Sequence, residues 1–168
     1  YSVESNVDGM PFSREMRSAV YQRAKGEVDS RPFGTELDVK IAGHEWIGHS
    51  LAPTRIASSD FRVMVGEGRA KPYSMSVFNI SAMSFGALSG NAIRALNRGA
   101  RLGNFIHDTG EGSISPYHRE EGGDLIWEVA SGYFGCRDAN GRFDPDRFTE
   151  QARSPQVKMI EVKLSQGA

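Results

Sequence analysis

Apolar residues follow two different rhythms between Ser76 and Gly103. The first of them, around Val77 and Ile80, are bulky strand formers in a nearly continuous run. After a turn of small residues, the apolar positions recur at the spacing of one helix face, at Ile93, Leu96 and Ala100. Ser89 can cap this helix at its amino end, and Gly103 stands where the helix should end. The stretch therefore predicts a buried strand, a tight turn and an amphipathic helix.

The rest of the chain predicts further strands and helices in alternation. The predicted elements are a helix over Ser13–Lys25, a strand over Phe61–Val65, a strand over Asn104–Thr109, a helix over Asp144–Ala152 and a strand over Val157–Leu164. The segment Asp124–Ala130 fits either a strand or a helix, and we favour a strand. The segment Ile114–Gly123 is predicted to be a loop. This order of elements is typical of an α/β fold.

Two charged residues stand at the carboxyl ends of predicted strands, where α/β folds place their ligands. Glu111 lies inside a glycine turn, and its alternative role is that of a solvated loop charge. Alternation places Lys163 on the same face of the last strand as Glu161. A lysine on a crowded strand needs a partner. Lys163 is either half of a structural salt bridge, to Glu161 or to a neighbouring strand, or a cation that faces a bound anion.

Composition excludes several classes of protein. The 168 residues carry 20 basic and 21 acidic side chains, so nucleic-acid binding has no electrostatic support. The single cysteine, Cys136, excludes a disulfide framework and a cysteine-based metal cluster within this chain. No base is recognisably placed to make it a nucleophile, so we interpret it as a small buried hydrophobe. No apolar run approaches the ~20 residues of a membrane span. We expect a cytoplasmic location, and membrane association through segments outside this chain is left open.

The chain does not match three well-known sequence motifs. His44 and His49 bracket a sequence similar to the zinc motif HExxH, but they are one residue too far apart. On a helix they would lie about 140° apart, and the nearby Gly48 and Pro53 argue against a helix. We therefore predict no metal site. The chain also lacks GxxxxGK(S/T) and a GxGxxG between strand and helix, which disfavours a Walker nucleotidase and a nicotinamide-binding Rossmann fold.

Four short motifs in a fixed order resemble the FMN-binding synthase domain of the glutamate synthase family. They are SAMSFGALS, HDTGEGS, ASGYFGC and MIEVKLSQGA, and they span roughly residues 76–168. The family typically shows AMS(Y/F)G, TGEG, (A/G)SGxFG and a lysine followed by QGA. The preceding FGTELDV and EWIGHSLAP look like the extension of its shorter, stand-alone bacterial members. Where many members carry arginine in the third motif, this chain has Tyr133.

The resemblance implies a (β/α)₈ TIM barrel that binds FMN at the carboxyl ends of its strands and transfers a hydride to 2-iminoglutarate to give glutamate. Matched by motif, Lys163 and Glu111 are implied to be catalytic residues near the flavin and the oxo-acid. The implied cofactor-binding residues are Ala82, Met83, Ser84, Gly132 and Gln166. An FMN enzyme that acts on an N-methylglutamate-like substrate is the alternative within the family.

The resemblance also divides the chain. Residues 1–72 are expected to form an irregular α+β extension, and residues 73–168 the first part of the barrel. Because a barrel takes ~250 residues, we expect the barrel to be incomplete in this chain. The expected partners are a small 2-oxoglutarate-like or glutamate-like substrate and the remainder of the barrel or a second chain; a homo-oligomer is left open. A non-catalytic fragment or binding module completed by another chain is the other hypothesis.

Overall fold

The computed structural model describes residues 11–28 and 38–164, which fall into two units, one up to Pro53 and one from Thr54 onward. In the first unit, helix α1 (Arg14–Ala24) begins where the sequence predicts, because the Ser13 hydroxyl accepts the Met16 N–H at 3.1 Å. The segment from His44 to His49 is not helical, as Gly48 and Pro53 indicated, and the ring of His44 stacks on Trp46.

The second unit opens with an antiparallel hairpin. Strand β1 (Arg62–Val65) pairs with β2 (Tyr73–Ser76), and Arg62 stands opposite Ser76. The strand predicted around Val77 and Ile80 is therefore misplaced. The Val77 N–H still bonds to Phe61 O in the hairpin, and the side chain of Val77 is 66% exposed. The regular pairing of the hairpin ends at Ser76, before the apolar run begins.

Beyond the hairpin lies a parallel sheet built from β3 (His107–Asp108), β4 (Leu125–Val129) and β5 (Val157–Val162), in that order. Ile80 joins it as a single parallel bridge to His107, since the N–H of Ile80 bonds to Ile106 O and the N–H of Asp108 bonds to Ile80 O, both at 3.0 Å. Sequence neighbours are thus spatial neighbours throughout the sheet. The prediction of strands at Asp124–Ala130 and Val157–Leu164 is confirmed in type, whereas the strand predicted at Asn104–Thr109 is reduced to two residues.

Helix α2 (Gly90–Gly103) connects the Ile80 bridge to β3. The hydroxyl of Ser89 caps it by accepting the Ala92 N–H at 3.2 Å, and Asn104 follows it in the left-handed conformation, with φ at 54°. Asn97 is fully buried on its inner face because its side chain bonds to the backbone N–H and C=O of Gly123. The apolar spacing alone did not reveal this polar member of the buried face.

Two further helices complete the second unit. Helix α4 (Pro145–Ala152) was predicted, and Asp144 caps it by accepting two backbone N–H groups. Helix α3 (Pro116–Glu120) lies in the segment predicted to be a loop, so that prediction is wrong. Five residues are too few to produce a helical period in the sequence, although Ser115 followed by Pro116 is a typical helix start.

The two faces of the parallel sheet differ in character. On the face toward α4, Trp127, Val129 and the buried thiol of Cys136 form the core, and Phe148 packs on Trp127. The opposite face carries the carboxyl groups of Asp108, Glu128 and Glu161. The described residues thus form a mixed α/β structure, in which no helix has the length and apolar character to cross a membrane.

Candidate functional site

Tight turns at the carboxyl ends of neighbouring strands pack directly on one another. A Cβ at Gly110 would lie 2.9 Å from the backbone nitrogen of Ser84, so only glycine allows this approach. In the same way, a Cβ at Gly135 would lie 2.1 Å from the hydroxyl of Ser113. The turn near Ile80, the turn after β3 and the turn after β4 therefore form one continuous surface at one edge of the sheet.

Lys163 and Glu111 meet at this edge. The Lys163 ammonium donates a hydrogen bond to Glu111 Oε1, and its backbone N–H bonds to Val129 O at 3.0 Å, which extends the pairing of β5 with β4. Both side chains are partly exposed. The hydrogen bond to Glu111 raises the pKa of Lys163, so the side chain stays protonated. Glu111, which belongs to the turn after β3, is thus the ion-pair partner that the sequence left open.

Below this ion pair, three carboxyl groups gather on the same face of the sheet. Oxygens of Asp108, Glu128 and Glu161 all lie within 4.8 Å of one another, since Glu128 stands opposite Glu161 in the strand register. Asp108 and Glu128 are buried, whereas Glu161 is exposed. The cluster was not predicted, although a glutamate within the apolar run of β4 was a signal for a functional or paired carboxylate.

The pKa of Asp108 is raised toward neutral pH. Burial raises it to about 7, with further contributions from Glu128 and Glu161, against the lowering effect of the Gly110 N–H, which bonds to it at 2.8 Å. Burial also raises the pKa of Glu128, while the charge of Lys163 opposes that rise. Because the carboxyl groups of Asp108 and Glu128 lie close together, the titration of each depends on the charge of the other.

The turn Ala82–Met83–Ser84 is held from two sides. The Met83 N–H donates to Asp108 O at 3.2 Å, and Met83 O accepts a hydrogen bond from Nε2 of His118 at 3.0 Å. Ala82 is exposed and Ser84 is partly buried. Both backbone polar groups of Met83 are therefore used within the fold. Sequence reasoning missed His118, which lies in the unpredicted helix α3.

The other predicted cofactor-binding residues are less informative. Gly132 is partly buried, and its described contacts are local: its C=O accepts a 3.4 Å hydrogen bond from Arg137, whose guanidinium stacks on Phe134. Gln166 lies outside the described residues. The structure thus brings Lys163 and Glu111 together and sets the Ser84 turn beside Gly110, the neighbour of Glu111.

Two cavities open on the sheet. One of about 470 Å³ lies over the carboxylate face; its lining includes Ser81, Ala82, Asp108, Ile126 and Glu161. Another of about 560 Å³ lies at the amino ends of β4 and β5, next to Tyr73, Asp124 and Lys158. There burial and the hydrogen bond to Asp124 raise the pKa of Tyr73 to about 12. Lys163 lies just beyond the carboxyl end of β5, away from this second cavity. The first cavity is therefore the one on the same side as Lys163.

The part of the chain that carries these turns matches a known protein family. A family model described as the conserved region in glutamate synthase matches residues 53–168. The chain belongs to the glutamate synthase family. The matched residues include all four motifs and the parallel sheet that carries them. Family membership therefore rests on the second unit, where the Lys163–Glu111 pair lies.

Several curated relatives carry glutamate synthase names. The chain is 32% identical over 157 residues to the glutamate synthase large subunit-like protein YerD of Bacillus subtilis, covering 92% of this chain and 30% of that protein. It is 46% identical over 55 residues to the archaeal-type glutamate synthase [NADPH] of Thermotoga maritima, covering 33% of this chain and 11% of that protein. The archaeal glutamate synthase [NADPH] of Archaeoglobus fulgidus is 34% identical over 88 residues, or 52% of this chain and 15% of that protein.

These relatives are much longer than the chain, which spans at most 30% of the length of those compared. No solved structure matches the chain. Membership in this family makes the protein part of an oxidoreductase family that generally uses flavin cofactors.

Proposed function

We propose that the full-length protein is an FMN-dependent oxidoreductase of glutamate-synthase type. It would reduce a 2-imino or 2-oxo acid, such as 2-iminoglutarate, to the amino acid. The observation that carries this proposal is the Lys163–Glu111 ion pair, because it joins two of the family motifs at the carboxyl ends of β3 and β5 of the same parallel sheet. Ligand sites in α/β folds lie at this edge.

A TIM barrel is the architecture we propose for the complete domain. Ile80, β3, β4 and β5 are parallel, and each is next in space to its neighbour in sequence. A barrel requires this order around its ring. The carboxylate face, with Asp108 and Glu128, would then point into the barrel, whereas the Trp127 face packs on helices.

The residues at the carboxyl edge fit a flavin. Ala82 and Ser84 flank a turn that Met83 fixes to the fold, so their peptide groups are the ones we assign to the flavin edge, together with Gly132 and Gln166. Lys163 supplies a cation suited to negative charge that grows on a reduced flavin or to a substrate carboxylate. When bound, FMN would supply the two-electron transfer that reduces the C=N bond.

The chain's own residues would then orient the substrate. Lys163 attracts the carboxylate of the oxo-acid or imino-acid, and Glu111 holds the lysine side chain in one direction while keeping it charged. Gly110 packs against Ser84 next to the ion pair, and this contact fixes the turn that carries Glu111. These roles require that both charges be present at the same time.

Lys163→Met in the full-length protein tests the assignment. Removing one positioned electrostatic group typically costs on the order of 10²–10³-fold in turnover, and we expect that loss with little change in the thermal midpoint. Lys158→Met is the matched control, because Lys158 is on the same strand but pairs with Asp124 at the other end. Turnover should be assayed with 2-oxoglutarate, ammonia and an added electron donor, and separately with N-methylglutamate and an added electron acceptor.

Three results would change the proposal. A colourless full-length protein that takes up no FMN refutes the flavin assignment. Unchanged turnover in Lys163→Met makes the ion pair structural. Turnover of N-methylglutamate alone keeps the site but replaces the glutamate-forming reaction.

A further inference from the structure

We propose that His118 is a positioning residue that fixes the flavin-side turn by donating a hydrogen bond from Nε2 to the carbonyl oxygen of Met83. The inference rests on the proposed function for the role of that turn, and on the hydrogen bonds of His118 for its geometry. His118 is fully buried in helix α3, and the distance from its Nε2 to Met83 O is 3.0 Å.

The other ring nitrogen determines which atom carries the proton. Nδ1 of His118 lies 3.1 Å from the backbone nitrogen of Ser115, and a backbone N–H can only donate. Nδ1 is therefore the acceptor, and the Ser115 hydroxyl at 2.8 Å lies on the same side. The ring hydrogen of a neutral imidazole must then sit on Nε2, where it points at Met83 O.

Burial keeps the ring in this neutral form. It lowers the pKa of His118, although the bond to the Met83 carbonyl opposes that effect. The groups that face the ring are Ser115, the Met83 carbonyl and the neighbouring ring of His107, whose centroid lies 5.1 Å away. Burial likewise lowers the pKa of His107, to about 4, so it brings no positive charge near neutral pH.

The turn is thereby fixed at one residue, Met83, from two elements. Helix α3 holds the carbonyl of Met83 through His118, while β3 holds its N–H through Asp108 O at 3.2 Å. The next residue, Ser84, lies against Gly110 and cannot move inward. The two hydrogen bonds orient the peptide groups on either side of the Met83 Cα. These peptide groups also carry the Ala82 C=O and the Ser84 N–H, and they are the groups assigned to the flavin.

Two substitutions distinguish the hydrogen bonds made by the two ring nitrogens of His118. In His118→Gln the side-chain amide can reach Met83 O as Nε2 does, whereas in His118→Asn the shorter side chain can serve Ser115 but not Met83. Losing one hydrogen bond and leaving a buried carbonyl unpaired corresponds to about a tenfold change in an equilibrium constant. In the full-length protein we expect His118→Asn to weaken FMN binding about tenfold and to shift the visible flavin spectrum. We expect His118→Gln to retain the FMN affinity and the flavin spectrum of the parent protein.

His107→Phe is the control, since His107 is equally buried beside His118 but makes no described hydrogen bond to the turn. It should leave the flavin spectrum unchanged. Equal losses of FMN affinity in His118→Gln and His118→Asn, or a loss as large in His107→Phe, would overturn the proposal.

Hydrogen–deuterium exchange gives a readout that needs no flavin. The backbone amides of residues 82–88 should exchange about tenfold faster in His118→Asn than in the parent protein, and at the parent rate in His118→Gln. If the parent protein binds no FMN, the proposed function fails while this comparison still tests His118. Equal exchange in all variants would show that His118 does not hold the turn.

Discussion

Asp108 contacts both the turn at Met83 and the turn that carries Glu111. Its backbone C=O holds the Met83 turn, its side chain accepts the Gly110 N–H before Glu111, and its carboxyl group lies beside that of Glu128. Met83 and Gly110 both lie in motifs that were recognised in the sequence. Asp108 itself was not assigned, because nothing local marks an aspartate at the end of a strand as buried.

The raised pKa of Asp108 predicts a pH-dependent stability. Because the folded pKa of about 7 exceeds the ordinary 3.8, the folded protein keeps a proton that the unfolded chain releases between about pH 4 and pH 7. Folding is therefore penalised increasingly as pH rises through that window. Asp108→Asn keeps an acceptor for Gly110 and removes the titration. We expect it to gain roughly 1–3 kcal/mol relative to the parent at pH 8 and about a third of that at pH 5.

Urea unfolding of full-length parent and variant at both pH values measures this difference. His107 titrates with the opposite sign, since its pKa is lowered to about 4 and its contribution falls as pH drops from about 6.5. That contribution is common to both proteins and cancels in the comparison. A stability difference that is the same at pH 5 and pH 8 would contradict the prediction.

At the scale of elements, helix starts could be predicted from the sequence, whereas the shortest elements and their pairing could not. The helix starts at Ser89 and Asp144 could be predicted because a cap acts on backbone groups two or three residues away. The five residues of α3, the two residues of β3 and the start of the parallel sheet at Ile80 could not. Their length and pairing depend on what packs against them.

Gly110→Ala is predicted to disrupt the site through a contact as well as through backbone strain. Gly110 has φ at +66°, and a Cβ there would meet Ser84 at 2.9 Å. Gly141 is the matched control, since it has φ at +80° but nothing within 4 Å of an added Cβ. Gly141→Ala should cost only the left-handed strain of about 1–2 kcal/mol.

Gly110→Ala should cost more than that and weaken FMN binding, as measured by urea unfolding and flavin fluorescence of the full-length protein. Equal destabilisation by the two substitutions would mean that the turns do not pack as closely as the structure places them.

For the whole molecule, one side of the parallel sheet is left open at β5 within the described residues. The outward residues of β5 and its continuation are exposed, with Val162 at 63% and Leu164 at 91%. The faces of parallel sheets are normally covered by helices. The relatives compared here are more than three times as long as the aligned region, since that region covers at most 30% of any of them.

We therefore predict that residues 1–168 alone bind FMN at least about tenfold more weakly than the full-length protein, since late strands hold the phosphate end in TIM barrels. Flavin fluorescence titration of both proteins measures the ratio, with circular dichroism to verify that the shorter chain is folded. Equal affinity would show that the first strands suffice.

The sequence by itself determined the family, the α/β class, the helix caps and the glycine turns. These properties depend on short motifs and on contacts between residues a few positions apart. It also identified Lys163 and Glu111 as candidates, but left open which carboxylate pairs with Lys163.

Only the tertiary structure decided that Lys163 pairs with Glu111 rather than Glu161, that the carboxyl groups of Asp108 and Glu128 lie side by side, and that His118 holds Met83. Each of these contacts joins residues far apart in the chain. Strand register and turn packing bring them together, and neither is written in a local pattern.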